Sequence, residues 1–228
     1  MKKIVITLAA LILMVSAGLL SFKPRDKRPN ILILFSDDHA LQAISAYGSP
    51  YIKTPNIDRL AKEGALYQNM FCTNSLCAPS RATMLTGKFS HKNGHKDNMT
   101  QFDAGQNMYP KYLQAGGYQT SWIGKWHLQA TPQYFDYWSV LPGQGAYYNP
   151  DFIEPGDKTV RAEGYATDVI TDKALKWLSN DRDDSKPFCL VIGHKCPHRN
   201  WLPDTGDLRA FDNQNHAPER RPESGCQR

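Results

Sequence analysis

Two adjacent carboxylates, Asp37-Asp38, follow directly on the apolar run from Asn30 to Phe35. Hard cations such as calcium or magnesium take several oxygen ligands, and carboxylates at a strand end can supply them. An Asp-Asp pair standing alone reads equally as a solvated turn with a helix cap, so its position in the chain decides its meaning. Cys77 opens the pentapeptide Cys77-Ala78-Pro79-Ser80-Arg81. A Cys ahead of a helix N-terminus has a favoured thiolate and suits a nucleophile; a buried structural thiol or a disulfide partner is the plainer alternative. Two more clusters pair Lys125 with His127, and His194 with His198.

The elements that must position these groups alternate in type. Asn30 to Phe35 is a continuous apolar run of the kind buried on both faces of a sheet. Residues 54–64 predict a helix with Thr54 as cap, Pro55 at its first position and Gly64 as its stop. Ala65 to Phe71 is a second candidate strand, and Pro79 to Leu85 a short helix closed by Gly87. Tyr109 to Gln114 predicts a helix, Tyr118 to Ile123 a strand, and Leu128 to Gly164 a long ordered loop rich in Pro, Gly and Tyr. Tyr165 to Asn180 is amphipathic, and Phe188 to Ile192 is a buried strand. Alternating strands and helices predict an α/β fold with a mostly parallel sheet flanked by helices. Ligands in such sheets bind beyond the carboxyl ends of the strands. Three strands end there in a polar cluster: Asp37-Asp38, Lys125/His127 and His194/His198.

Composition narrows the class. Of 228 residues, 41% are hydrophobic and 11% aromatic, which argues for a folded chain. A net charge of +5, without a Lys/Arg stripe interleaved with aromatics, predicts no nucleic-acid partner. Lys2 and Lys3 precede an apolar stretch from Ile4 to Leu20. That pattern predicts a signal peptide over residues 1–21, export to periplasm or exterior, and no stable membrane span after cleavage. The five cysteines, Cys72, Cys77, Cys189, Cys196 and Cys226, leave one thiol odd and form no Cys-x-x-Cys motif. The aromatics Tyr134, Phe135, Tyr137, Trp138, Tyr147, Tyr148 and Trp201 either line a sugar cleft or pack beneath the long loop.

The pentapeptide at Cys77 matches Cys-x-Pro-x-Arg, the signature at which type I sulfatases oxidise Cys to formylglycine. The chain resembles that family, of the alkaline-phosphatase-like superfamily, over residues 28 to about 212. Arg28-Pro29-Asn30-Ile31 through Asp38, the segment 54–60, Thr83-Met84-Leu85-Thr86-Gly87, Gly124-Lys125-Trp126-His127 and His194-Lys195-Cys196-Pro197-His198 resemble its elements in its order. The resemblance implies hydrolysis of a sulfate ester through formylglycine made from Cys77 by a maturation enzyme, with a divalent ion, calcium or magnesium. It implies Asp37, Asp38 and modified Cys77 at the metal, Arg81 steadying the formylglycine and Lys125 on sulfate oxygens. His127 would handle the nucleophile's proton, His198 would protonate the leaving oxygen, and His194 would touch substrate or support His198. The stretches 46–48, 141–145 and 149–151 resemble bacterial sulfatases of amino-sugar sulfates, such as N-acetylglucosamine-6-sulfate units in a sulfated carbohydrate.

Family members run to about twice this length, with a second metal-ligand pair and a further sulfate-binding Lys that find no counterpart here. Residues 22–212 therefore correspond to the N-terminal part of the catalytic domain. Residues 213–228 are expected to be an aberrant tail from a frameshift or early stop. Such a chain is expected to expose a sheet edge and apolar surface and to be impaired as an enzyme. The alternatives are a phosphonate or phosphate ester hydrolase of the same superfamily, or a non-catalytic fragment.

Overall fold

A computed structural model describes residues 26–212. The predicted leader, the tail and Cys226 lie outside the described residues. The core is a six-stranded mixed sheet of order β1-β6-β2-β3-β4-β5. Strands β1 (Ile31–Ser36), β6 (Phe188–His194), β2 (Gln119–Lys125) and β3 (Tyr137–Leu141) run parallel, and β4 (Asp151–Glu154) and β5 (Lys158–Arg161) extend the sheet antiparallel. The helices are α1 (Pro55–Glu63), α2 (Cys77–Thr86), α3 (Ser90–Asn93), α4 (Tyr109–Ala115) and α5 (Ala166–Lys176), the last running on into a wider turn over Trp177–Asp181.

Side-chain alternation sorts the central strands into two cores. Trp122, Val140 and Val191 face α2, packing against Ala78, Ala82 and Leu85. Their neighbours Ile123, Leu141, Leu190 and Ile192 face α5, against Ile170, Ala174 and Trp177. The fold is thus three layers, helix, sheet and helix, as the alternating pattern predicts. The parallel strands end on one rim, with β1 paired to β6 from Ile31–Cys189 through Ser36–His194.

Four expectations differ in detail. Residues 65–71 form no strand; Tyr67, Met70 and Phe71 are exposed, with no sheet neighbour to pair them. The stretch 128–164 is no simple loop, since β3, β4 and β5 lie in it, carried by the aromatic and β-branched run Tyr137-Trp138-Ser139-Val140-Leu141. β1 is an edge strand whose Leu32 and Leu34 are 49% and 56% exposed, rather than a strand buried on both faces. Thr54 makes no capping bond to the α1 backbone; its hydroxyl instead donates to the Asp58 side chain at 3.0 Å.

Where β2 meets β6 the two backbones close tightly. A methyl on Gly193 would sit 2.6 Å from the Lys125 carbonyl oxygen and 3.5 Å from an Arg81 nitrogen. Opposite it, Gly124 has φ +101, and a methyl there would strike the Gly193 carbonyl. The pair lets the two strand backbones lie close together at the end that the Arg81 guanidinium reaches. Gly193→Ala is expected to cost about 3 kcal/mol of stability in urea unfolding, from forced backbone movement in a packed core. Gly206→Ala, in open space, should stay within about 0.5 kcal/mol; equal effects at both positions would contradict the close approach of the two backbones.

Candidate active site

The rim is organised around Asp37, which the end of β1 buries to 4% exposure. Its backbone N–H donates to the Cys196 carbonyl at 3.3 Å, which ties the end of β1 to the loop after β6. One carboxylate oxygen is ion-paired with Lys125 Nζ, and the other lies 3.8 Å from Arg81 Nη2. Burial pushes the Asp37 carboxyl up, but hydrogen bonding and charge from Lys125, with Arg81 and His198, more than offset it and hold the group below the usual carboxylate range.

Arg81 and Lys125 are both fully buried. Arg81 Nη1 donates to the Lys125 carbonyl at 2.6 Å, and its guanidinium lies 4.9 Å from the centre of the Phe35 ring. Its Nε and Nη2 have no hydrogen-bond partner. Orphaned donors on a buried cation are costly, and they lie beside Asp37 and Cys77.

Cys77 is the first residue of α2 rather than the residue before it. The N–H of the next residue, Ala78, donates to Asn98 Oδ1 at 3.0 Å, so Asn98 satisfies the helix start. The Cys77 thiol donates to Asp37 Oδ1 at 3.5 Å and lies 3.9 Å from Lys125 Nζ. The expected thiolate is not favoured. Burial raises the Cys77 pKa, and the Asp37 and Asp38 charges raise it further against the pull of Lys125. The helix start cannot outweigh desolvation beside two carboxylates. Cys77 and Cys72 share a cavity of about 220 Å³ with Asp37, Asp38 and Ser80. The cysteines among the described residues are all free thiols.

The histidines divide. His127 is buried just past β2, with φ +55, its Nε2 3.3 Å from Gln144 Nε2 and its Nδ1 without a partner. Burial first, then the charges of Lys125 and Arg81, push it down to about 4. His198 Nε2 lies 3.8 Å from Asp38 Oδ2, and its Nδ1 contacts the Arg199 carbonyl at 2.6 Å. His194 ends β6 beside Ser36, with Nδ1 unpartnered and its pKa lowered by burial. No hydrogen bond joins its ring to the cluster.

Ligand atoms of Asp37, Cys77 and His198 lie within 4.8 Å of one another. Asp38, at φ +58 and with its side chain 56% exposed, flanks them on the open side. Two carboxylates on one rim suit a hard divalent ion, so the residues present fit a cation there. The sequence-predicted residues therefore come together, except that His194 stands apart. Of the seven aromatics, Phe135, Trp138 and Tyr147 are buried, Tyr134 and Tyr137 are half-buried against the two cores, and Tyr148 and Trp201 are exposed.

Two residues escaped the sequence reading. Gln144 Oε1 accepts from Lys125 Nζ at 2.5 Å. Lys195, 5% exposed, donates to the Gln144 carbonyl at 3.1 Å and lies 4.7 Å from the centre of the Tyr147 ring. The glycines on either side of Gln144 and the lysine inside His194-Lys195-Cys196-Pro197-His198 were the available signals.

A helix–sheet–helix fold with a buried carboxylate and cations at its carboxyl rim puts the candidate site where α/β enzymes bind their ligands. The sulfatase family model matches residues 29–221, and the chain belongs to the sulfatase family. It is 53% identical over 194 residues, 84% of this chain and 34% of the other, to an N-acetylglucosamine-6-O-sulfatase of Bacteroides thetaiotaomicron. It is 36% identical to the dog N-acetylgalactosamine-6-sulfatase, covering 82% of this chain and 43% of that one. A solved structure described as bound to its substrate, D-glucosamine-2-N,6-O-disulfate, superposes with TM-score 0.81 at 52% identity, covering 84% of this chain and 39% of that one. The chain thus spans between a third and a half of the length of these relatives. No helix among the described residues is long and apolar enough to cross a membrane.

The imidazole of His127 links pH to stability. Unfolded, it titrates near 6.5; folded, near 4. Between those values the unfolded chain binds more protons, so stability is full above about 6.5 and falls as pH drops towards 4, on the order of 2–3 kcal/mol. His95 and His194, also lowered by burial, act in the same direction. Urea midpoints measured from pH 4 to 7 are expected to rise with pH, and less steeply in His127→Gln. Equal slopes in the two proteins would contradict the assignment.

Proposed function

We propose that this chain contributes the nucleophile-bearing part of a sulfatase that removes the 6-sulfate from N-acetylglucosamine units of a sulfated glycan. The carrying observation is the setting of Cys77, 3.5 Å from Asp37 and 3.9 Å from Lys125, beside a buried Arg81 with two unpartnered nitrogens. The substrate reading is supported by the 53% identity to the Bacteroides enzyme of that name. Export, with residues 1–21 as signal peptide, belongs to the same reading, as does a glycan substrate met outside the cytoplasm.

The thiol Sγ of Cys77 occupies the place of a formylglycine oxygen. Formylglycine made from Cys77 by a maturation enzyme would supply, as its hydrate, an oxygen nucleophile with a second hydroxyl for sulfate release, while calcium or magnesium held by Asp37, Asp38 and that residue would neutralise anionic charge. Arg81, locked by the Lys125 carbonyl, steadies the side chain at position 77. Lys125 brings a point charge to the sulfate oxygens. His127, neutral at working pH, accepts a proton at Nε2 from the attacking hydroxyl. His198 faces the open side beside Asp38 and donates its proton to the departing sugar oxygen. His194, away from the cluster, supports the strand end that carries His198.

The protein containing this chain, co-expressed with a formylglycine-forming enzyme, is expected to release sulfate from N-acetylglucosamine-6-sulfate. Its Cys77 peptide should carry an aldehyde by mass spectrometry. Cys77→Ala should lower turnover by about 10³-fold or more, and chelation of divalent ions should lower it as well. An aldehyde at position 77 with phosphonate but no sulfate ester hydrolysed would sink the substrate reading; an unmodified thiol with full turnover would sink the nucleophile.

A further inference from the structure

We infer that Gln144 is a positioning residue, its carbonyl oxygen holding Lys125 and its amide holding His127, so that His127 is fixed as the Nδ1–H tautomer with Nε2 as the basic nitrogen. Two contacts carry this. Lys125 Nζ donates to Gln144 Oε1 at 2.5 Å, and Gln144 Nε2 lies 3.3 Å from His127 Nε2. An ammonium has donors and no acceptor, so the amide oxygen must face Lys125; the reverse orientation would set donor against donor. The amide nitrogen then has only N–H groups to offer, so His127 Nε2 accepts and the ring proton sits on Nδ1. No protein donor at Nδ1 opposes that choice, because Nδ1 has no partner.

The backbone behind the side chain is held as well. Lys195 Nζ donates to the Gln144 carbonyl, and the Gly145 N–H donates to the Pro142 carbonyl at 2.9 Å. Gly145 has φ +70, and a methyl there would lie 2.6 Å from a Leu141 methyl, so the turn that aims Gln144 requires glycine. Burial of His127 keeps its ring neutral; its single Nε2 lone pair rests on the Gln144 amide until the attacking hydroxyl takes that place. A neutral amide sets the tautomer without adding charge. A carboxylate in its place would draw a proton onto Nε2.

The test uses the full chain labelled with 15N-histidine, with His127 assigned by the resonance lost in His127→Gln. Long-range 1H–15N spectra at neutral pH should show Nε2 unprotonated and Nδ1 protonated. Gln144→Met, which keeps the length and removes both polar atoms, should move His127 towards a tautomer mixture. Gln144→Glu should place a proton on Nε2. In the mature enzyme both variants should lower kcat about tenfold to a hundredfold while KM changes by less than about threefold. That kinetic arm alone rests on the sulfate-ester reading. A wild type without turnover sinks that reading, and the spectra still decide the role of Gln144. A wild-type proton on Nε2, or a folded Gln144→Met with unchanged His127 signals, overturns the inference.

Discussion

Burial of the Asp37 carboxylate against Lys125 and Arg81 is the constraint on which the rim depends. An ionised side chain taken out of water loses several kcal/mol of solvation, and only a partner held in good geometry returns it. Lys125 comes from the end of β2, Arg81 from α2 and Asp37 from the end of β1, so the ion pairs fasten a helix to two strands that do not touch each other. β6 lies between them, and its Gly193 lets the β2 backbone approach closely at Lys125. Packing in the two apolar cores brings these elements together; the charges set their register at the rim.

The same arrangement explains why Cys77 is a poor thiolate. A cysteine at a helix start gains from the helix dipole, but beside Asp37 and Asp38, and partly desolvated, it stays protonated. A site built for thiolate attack would place cations alone around the sulfur. Here two carboxylates flank it alongside Lys125, which in the proposed reading suits an oxygen nucleophile near a divalent ion. In the proposed reading, the environment is matched to the modified residue rather than to the one encoded.

Much of this was legible in the residues. The apolar runs that became β1, β2 and β6 each stop at a polar cluster, and that coincidence located the rim. The helices around Pro55 and Cys77 close at Gly64 and Gly87 as expected, and the amphipathic helix around Ala166 formed. Strands β3 to β5 were hidden because Pro, Gly and Tyr dominate their neighbourhood and each strand is short. The run at Ala65 to Phe71 had strand composition but found no partner, and β propensity without a neighbour does not make a strand. Gln144 was missed for a different reason: beyond its flanking glycines an uncharged amide carries no signal of its own, and its importance arises only when the turn at Gly145 folds it between Lys125 and His127.

Among the described residues, three buried cations, Arg81, Lys125 and Lys195, face one buried carboxylate, Asp37, and two Arg81 nitrogens have no hydrogen-bond partner. A pocket in that electrical state chooses its visitor by charge before shape. A tetrahedral anion relieves the imbalance whatever alcohol it is attached to, whereas the unsulfated sugar relieves none of it. In the proposed reading, discrimination between one sulfated sugar and another falls to surfaces outside this cluster.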